Sequence, residues 1–470
     1  MPADIEVTIG AFQLVPDDPA DAARWNESRK RRRMLEGLWE TDVRERIKEY
    51  FSRIRELTLG KPNLGLNLFN SVVSQQSILY DQPFTVVAPE GTSDEQKAEF
   101  STVLDDAHLA QLLQRNCRNV TGLREGLMKL VPTDSGLRYN VVPSDVVVVE
   151  HVPGDPSTLT KVSEGIVLSD GRTAWEVWDI KDPTKPTRKI LTSDGTDISA
   201  DVLKEPGVYL EIGPKTGEPF LPYVLYHAEW SDKVWNAYDL SELPNASLDL
   251  AVLWTMFGDG VRNAAWPQRY AINLRLDGAT VTKGPDARAG YIDTAPTSLI
   301  VFKVIDPNSP ASAGQYAPGC DPKTLAESIL IYMGVVLNNL GISPADLQAQ
   351  PNAQSGYAIQ LKRSAQRREA TKVIPNFRDG DTELLDKTAM MENIYSGTSY
   401  PEEGWGVAYN LPALGQAEMM EALETRQKEL ELGLASKVDV FVSLNPDWAI
   451  RERSEVVAHL REIARENAEF

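Results

Sequence analysis

Cysteine and histidine are scarce in this chain of 470 residues, which holds two of the first and four of the second. Cys117 and Cys320 form no CxxC pair and no Cys/His cluster, which argues against a zinc site and for a reducing compartment. His108, His151, His227 and His459 are scattered, and none has a nearby Cys or Ser with motif character. Each is expected to be a surface or satisfied histidine. Phosphate-cradling, dinucleotide, metalloprotease and serine-hydrolase signatures are absent. Gly60-Lys61 is followed by Pro62, which removes a backbone N–H that a phosphate cradle would need. No metal or cofactor is therefore expected.

Long clean apolar runs are also missing. Asp249 and Asp259 interrupt the apolar stretch 246–266, and Glu327 interrupts 323–341, so neither reaches the ~20 apolar residues of a bilayer span. The N-terminus, MPADIEVTIG, has no basic start and no apolar core of a signal peptide. A soluble, intracellular protein is the expectation. Positive charge is in deficit, with 48 Lys/Arg against 68 Asp/Glu and a net charge of −20. Such a surface argues against ordinary affinity for nucleic acid or an anionic membrane, and it is compatible with a protein that lets DNA slide past without sticking.

With 42% hydrophobic residues and ten tryptophans, most of the chain should fold, into two to four modules. Residues 1–23 are acidic and Pro-rich and are taken as an arm. From Arg24 to Leu59 apolar residues recur at helical spacing, with a basic outer face of 12 Lys/Arg against 7 Asp/Glu over 24–61. The run Arg29-Lys30-Arg31-Arg32-Arg33 fits a nucleic-acid patch; a solvated helix face paired with acidic neighbours is preferred. Helices are expected over 64–80 and 94–118.

Over 137–230 the pattern changes to short β-rich runs at 145–152, 163–168, 174–180 and 187–192, the mark of antiparallel sheet. Trp175 and Trp178 suggest a sugar platform, but three residues apart they point to opposite faces of a strand, so at least one belongs to the core. Two helices follow, 246–266 capped at Asn245 or Ser247, and 323–341 capped at Gly341, both apolar around most of their circumference. A helix of that kind must be covered on all sides. Between them lies an insert, 267–322, with strand-like runs at 268–274 and 298–305 and the basic residues Arg269, Arg275, Lys283, Arg288 and Lys303.

Residues 342–355 make a polar loop, and Ser355 is placed to cap a basic helix running from Gly356 to about Val373. Pro375 is expected to interrupt it before an acidic continuation to Tyr395. Asp379-Gly380-Asp381 with Glu383 and Asp386 lacks calcium-loop spacing and reads as a solvated acidic turn. Three helices broken at Gly433 and Asn445-Pro446 close the chain.

The segment GISPADLQAQPNAQSGYAIQLKRSAQRREA, residues 341–370, resembles the portal proteins of tailed bacteriophages, in which a helix ends, a loop follows and a long helix starts at Ser-Gly. PNLGLNLFNSVVSQQSILYDQPF (62–84) and SLNPDWAIRERSEVVAHLREI (443–463) are similar to further parts of that family. The resemblance implies an α+β portal fold. Its parts would be an arm (1–23), a wing (24–245), stem helices (246–266 and 323–341), a clip (267–322), a tunnel loop (342–355), a long wing helix and its return (356–412) and a crown (413–470).

It further implies a ring of about twelve copies at one capsid vertex of a virion, assembled in the host cytoplasm, with no catalytic residues of its own. Viral double-stranded DNA would be packaged and ejected through the ring without sequence specificity. The partners would be the terminase large subunit, the head–tail adaptor, and the major capsid and scaffolding proteins. Gln348, Gln350, Asn352 and Gln354 would face DNA. Lys362, Arg363, Arg367 and Arg368 would lie near DNA or pair with the next subunit. The five basic clip residues would meet partners. The competing expectation is a carbohydrate-active hydrolase with a carboxylate pair in the β-rich region.

Overall fold

The computed structural model describes residues 19–50, 61–133, 136–203, 205–230, 233–235, 242–265, 268–276, 281–283, 290–292, 302–316, 321–339, 342, 356–410, 416–433, 436–444 and 453–469. The chain separates into two compact units, one comprising Met1–Trp39, Leu68–Pro244 and Ala345–Phe470, the other Glu40–Asn67 and Asn245–Pro344.

Helix α1 (Pro19–Glu36) and helix α2 (Glu40–Tyr50) stand where one helix over 24–59 is expected. The break is at Gly37, whose φ of +77° is left-handed. Leu38 N–H bonds to Arg33 O at 2.8 Å and Gly37 N–H to Met34 O at 3.4 Å, the paired bonds of a Schellman cap. Helix α3 (Leu68–Gln76) is shorter than the expected 64–80 and leads to strand β1 (Thr85–Val87).

Helix α4 (Asp94–Asp106) begins in a reciprocal capping box between Ser93 and Gln96. It is separated from helix α5 (Leu109–Leu123) by His108, whose φ is 56°. The single helix expected over 94–118 is therefore two, because a left-handed residue cannot continue a right-handed helix.

Next come β2 (Glu125–Thr133), β3 (Gly136–Pro143), β4 (Val147–Val152), β5 (Asp155–Val167), β6 (Thr173–Asp179), β7 (Thr187–Leu191) and β8 (Tyr223–His227). They form two antiparallel sheets, ordered β3-β2-β8 and β4-β5-β6-β7. The region is thus antiparallel, as expected, but it opens earlier, at Glu125. Strand β2 is buried on both faces over its first six residues, so it lacks the alternation that betrays a strand in sequence. Trp178 is buried in the core, whereas Trp175 lies on the opposite face of β6, half-buried and 5.7 Å from Trp25.

Helix α6 (Glu242–Ala265) starts before the expected Asn245 or Ser247. The insert supplies β9 (Gln268–Ile272), β10 (Leu274–Leu276), β11 (Val281–Lys283), β12 (Gly290–Ile292), β13 (Phe302–Val304) and β14 (Ser312–Tyr316). They pair as β9–β14, β10–β13 and β11–β12, all antiparallel. Helix α7 (Pro322–Asn339) follows.

Helix α8 (Gly356–Tyr395) then runs 40 residues without a break, so Pro375 sits inside it and does not interrupt it. Its continuation past the proline is held by packing: Phe377, Leu384, Leu385, Ala389 and Met391 all enter the main core. That burial outweighs the roughly 3 kcal/mol propensity penalty of an internal proline. Strand β15 (Gly406–Ala408) pairs with β1. Helices α9 (Gln416–Glu431), α10 (Lys437–Leu444) and α11 (Arg453–Glu469) complete the chain. In the main core Phe100 stacks on Trp405, with ring centroids 3.9 Å apart.

Candidate functional site

The second unit carries the two apolar helices and the insert between them, whereas the polar loop from Ala345 and the basic start of α8 belong to the first. Helix α6 is bound to α2 by polar contacts at the residues that interrupt its apolar run. Arg46 Nε donates to Asp249 Oδ1 at 2.8 Å, and Tyr50 O–H donates to the same oxygen at 3.2 Å. That hydrogen bond to Asp249 holds the Arg46 guanidinium above its ordinary pKa. Thr255 Oγ1 donates to Ala251 O at 2.8 Å and accepts Asn63 N–H at 2.9 Å. Farther along, Trp254 and Phe257 stack with centroids 4.9 Å apart.

Helix α7 is capped by Asp321, whose carboxylate accepts the backbone N–H groups of Lys323 and Thr324 at 3.3 Å, with Pro322 at the first helical position. Its sequence puts apolar residues on two opposite faces. Ile329, Met333 and Leu337, four residues apart, are buried. About 200° around the helix, Ile331 and Val335 are 68% and 53% exposed, and neighbouring Leu330 is 51% exposed. Among the described residues, one apolar face of α7 is covered and the other is exposed.

In the insert, Asn273 occupies a left-handed position with φ 53°. Its Nδ2 donates to Asp306 O and to Ser309 O, each at 2.8 Å, and its Oδ1 accepts Asp306 N–H at 2.9 Å. These bonds fix the 305–309 turn against β9. Ile272, Val304 and Ile305 around it are all more than half exposed or at half exposure. The ladder register sets Arg275 of β10 directly opposite Lys303 of β13, and Arg269 of β9 opposite Gln315 of β14. Lys283 ends β11. Arg288 and the loop residues Gln348, Gln350, Asn352 and Gln354 lie outside the described residues, as do Cys320, Gly341 and Ser355. Lys362, Arg363, Arg367 and Arg368 belong to the first four turns of α8; their side chains lie outside those described.

In the first unit, the basic run on α1 turns inward. Arg32 pairs with Asp145 at 2.7 Å and Arg29 with the same carboxylate at 3.7 Å. Asp145 and Arg31 are fully buried, and Arg24 donates to Ser144 O and Val147 O. Pairing with acidic neighbours is thus observed, but the expected solvated face is not. Burial is the largest influence on Asp145 and raises its pKa despite the arginines.

The expected acidic turn at 379–386 is also overturned, because these residues are helical. Asp381 is fully buried and accepts three tyrosine hydroxyls, from Tyr80 at 2.7 Å, Tyr226 at 3.0 Å and Tyr409 at 2.6 Å. Burial pushes its pKa up from 3.8 to about 6. Sequence reasoning missed this cluster because its members come from four separate segments. The only local signal was an Asp at the core-facing spacing of Phe377, Leu384 and Leu385.

Two carboxylates of the β-rich region, Glu164 and Glu176, are likewise occupied. Lys129 Nζ donates to Glu164 at 2.7 Å and to Glu176 at 2.5 Å, Arg188 donates twice to Glu176, and Tyr223 O–H donates to Glu164 at 2.8 Å. Burial alone would raise the Glu176 pKa, but Lys129 and Arg188 bring it below the ordinary value. A residue so held is no proton donor for glycoside cleavage. Among the histidines, His227 departs from expectation. It is half-buried, its Nδ1 has no hydrogen-bond partner among the described residues, and burial lowers its pKa to about 4.

Among the described residues no group of His, Cys, Asp and Glu could hold a metal ion, and no helix is long and apolar enough to cross a membrane. No protein-family model matches the chain, and no curated protein does. Among solved structures, it is similar to a chain in the neck of an empty gene transfer agent particle computed with C6 symmetry. The identity is 14%, the TM-score 0.41, and the match covers 82% of this chain and 95% of that one. It is also similar to a chain in the virion of a native gene transfer agent particle, at 14% identity and TM-score 0.38, covering 86% and 98%.

Proposed function

We propose that this chain is a portal-type subunit that closes with copies of itself into a ring at a capsid vertex. Viral double-stranded DNA passes through that ring during packaging and ejection. The observation that carries the reading is the second apolar face of α7, at Leu330, Ile331 and Val335, exposed on a helix whose other face is already buried. A rod with two greasy faces in a ring finds its second cover on the next copy. The order of elements supports it: α6, a small β-rich insert, α7, then the 40-residue α8. So do the resemblance of residues 341–370 to the portal family and the net charge of −20, which keeps a channel wall from gripping phosphates.

In this reading the protein is structural rather than catalytic, and a separate terminase ATPase drives the DNA. The insert is the docking point for terminase and then for the head–tail adaptor. The ladder places two basic residues, Arg275 and Lys303, at one level of the insert, which suits a partner surface of opposite charge. The polar loop 342–355 supplies the uncharged residues Gln348, Gln350, Asn352 and Gln354 that touch the duplex. The test is electron microscopy of the purified protein under negative stain. Rings with a central hole wide enough for a duplex are expected, and compact single copies at all concentrations overturn the proposal.

A further inference from the structure

Strand β8 is an outer strand of the sheet β3-β2-β8, and beside it lies a groove of about 790 Å³ lined wholly by residues of the first unit. The ladder with β2 fixes which backbone groups face outward. Leu130 N–H bonds to Pro222 O and Ala228 N–H to Arg124 O, so the even-numbered residues 222 to 228 pair with β2. In an antiparallel ladder the alternate residues turn their N–H and C=O groups the other way. Those of Tyr223, Leu225 and His227 therefore form the outer edge. Lys387 of α8 takes Tyr223 O at 2.6 Å. Leu225 and His227, which line the groove, make no backbone hydrogen bond on that side among the described residues.

The two sides of this edge differ in chemistry. Val224 and Tyr226 point into the main core, where they share a cluster with Phe377 and Leu384 of α8. From that side α8 presents Asp379 and Glu383, one turn apart, to the groove. Tyr223 and Leu225 point the other way, and there Leu159, Ile180 and Leu225 line the groove as an apolar wall. Glu383 pairs with Lys387 at 2.6 Å, whereas Asp379 is exposed and has no ion pair among the described residues. With Asp155 the lining holds three carboxylates against the one ammonium of Lys387. His227, its pKa lowered to about 4 by burial, adds no charge at neutral pH. A strand added at such an edge turns alternate side chains to the two sides, one set toward acids and the other toward aliphatic carbon. Main-chain bonds to an open edge supply affinity, and the alternate side chains supply selectivity. The net charge of −20 makes another copy of this chain a poor source of a basic segment.

We propose that the β8 edge receives an extended arm of a different, basic protein, in which lysine or arginine alternates with aliphatic residues. The arm's backbone bonds the outward groups of Leu225 and His227. Its cations reach Asp379 and Glu383, and its aliphatic side chains cover Leu159 and Ile180. This assignment is independent of ring formation. The test uses the full chain and a capped synthetic peptide of about six residues, an ordinary strand length, with lysine and valine in strict alternation. The peptide should bind saturably and slow exchange of the Leu225 and His227 amides at least about tenfold, while Val224 and Tyr226, already bonded to β2, do not change. A peptide of the same composition with its lysines in one block should bind at least about tenfold more weakly. Asp379→Lys, at an exposed position, should leave the unfolding midpoint unchanged and weaken the alternating peptide at least about threefold. A peptide alternating glutamate and valine should show the reverse preference between the parent and that variant. Absence of binding, equal binding of the alternating and blocked peptides, or binding without protection at Leu225 and His227 overturns the proposal. Slow exchange at those two amides without peptide overturns it too, because this polypeptide or another copy then already fills the edge.

Discussion

The carboxylate of Asp381, in the middle of the longest helix, accepts the hydroxyl of Tyr80 at 2.7 Å across 301 residues of sequence. Tyr226 from β8 and Tyr409 after β15 complete the cluster, so one buried acid ties together the early chain, the sheet, the long helix and its return. Burial raises the Asp381 pKa from 3.8 to about 6, so the folded state holds its proton more tightly than the unfolded state does. The resulting stability is fully present below about pH 4 and is lost as pH rises through 6. The shift corresponds to roughly 3 kcal/mol. Asp381→Asn, which cannot titrate, should reduce the stability difference between pH 4 and pH 7 by about that amount, as measured by denaturant unfolding at the two pH values.

Tyr409→Phe removes the shortest of the three donors, at 2.6 Å. Above pH 6 the lost bond is to an ionised carboxylate, and the variant should be about 1.5–3 kcal/mol less stable there. The loss should shrink near pH 4, where the acid is neutral. An equal loss at both pH values would assign the effect to packing around the ring instead.

Gly380 lets Tyr226 come close enough to reach Asp381. A Cβ built on Gly380 would lie 2.6 Å from Tyr226 Cε1, and the ring is held by its own bond to Asp381. Gly380→Ala should therefore cost about 1–3 kcal/mol even though alanine is the better helix former. Thermal unfolding of the variant, read beside Gly258→Ala in α6, where a Cβ meets nothing, checks the point.

What the sequence made legible follows from how local each signal is. The strands β4 to β7 and the helices α6, α7 and α9 to α11 are visible because each shows its own period and its own turn residues. The break at Gly37 is written in a glycine yet hidden, since apolar spacing runs on through Leu38 and Val43. His108 carries no such mark, although its left-handed φ of 56° is what separates α4 from α5. Strand β2, buried on both sides, is legible only as a short apolar run. Pro375 misleads in the other direction, because core contacts on both sides of it hold the helix together. Of the candidate site, the apolar character of α7 was readable in full. The fate of the basic run 29–33 was not, because its partner Asp145 lies more than a hundred residues away.

Lys129 is buried between Glu164 and Glu176, with Arg188 bonded to the second carboxylate. Burial alone would lower the Lys129 pKa, but the two carboxylates beside it more than reverse that. Lys129→Met keeps the length of the side chain and removes its charge, leaving two buried carboxylates with one arginine. The cost should be about 3–5 kcal/mol. Chemical denaturation measures it, and a double variant with Glu176→Gln should recover part of the loss if the unpaired charge is its cause.

The two faces of α7 separate folding from assembly. Met333→Glu places a carboxylate among the residues that this chain itself buries, and should unfold the second unit or lower its stability by several kcal/mol. Ile331→Glu and Val335→Glu fall on the exposed face, so each should leave the unfolding midpoint of a single copy within about 0.5 kcal/mol of the parent. If copies close into the proposed ring, both should nevertheless abolish it, since a carboxylate buried without a partner between copies would repeat at every contact. Analytical ultracentrifugation beside thermal unfolding distinguishes the outcomes. Loss of rings with an intact fold means that copies of this chain cover the face. Rings that persist with glutamate at both positions mean that the face meets solvent, and the assembly must then be held by other surfaces.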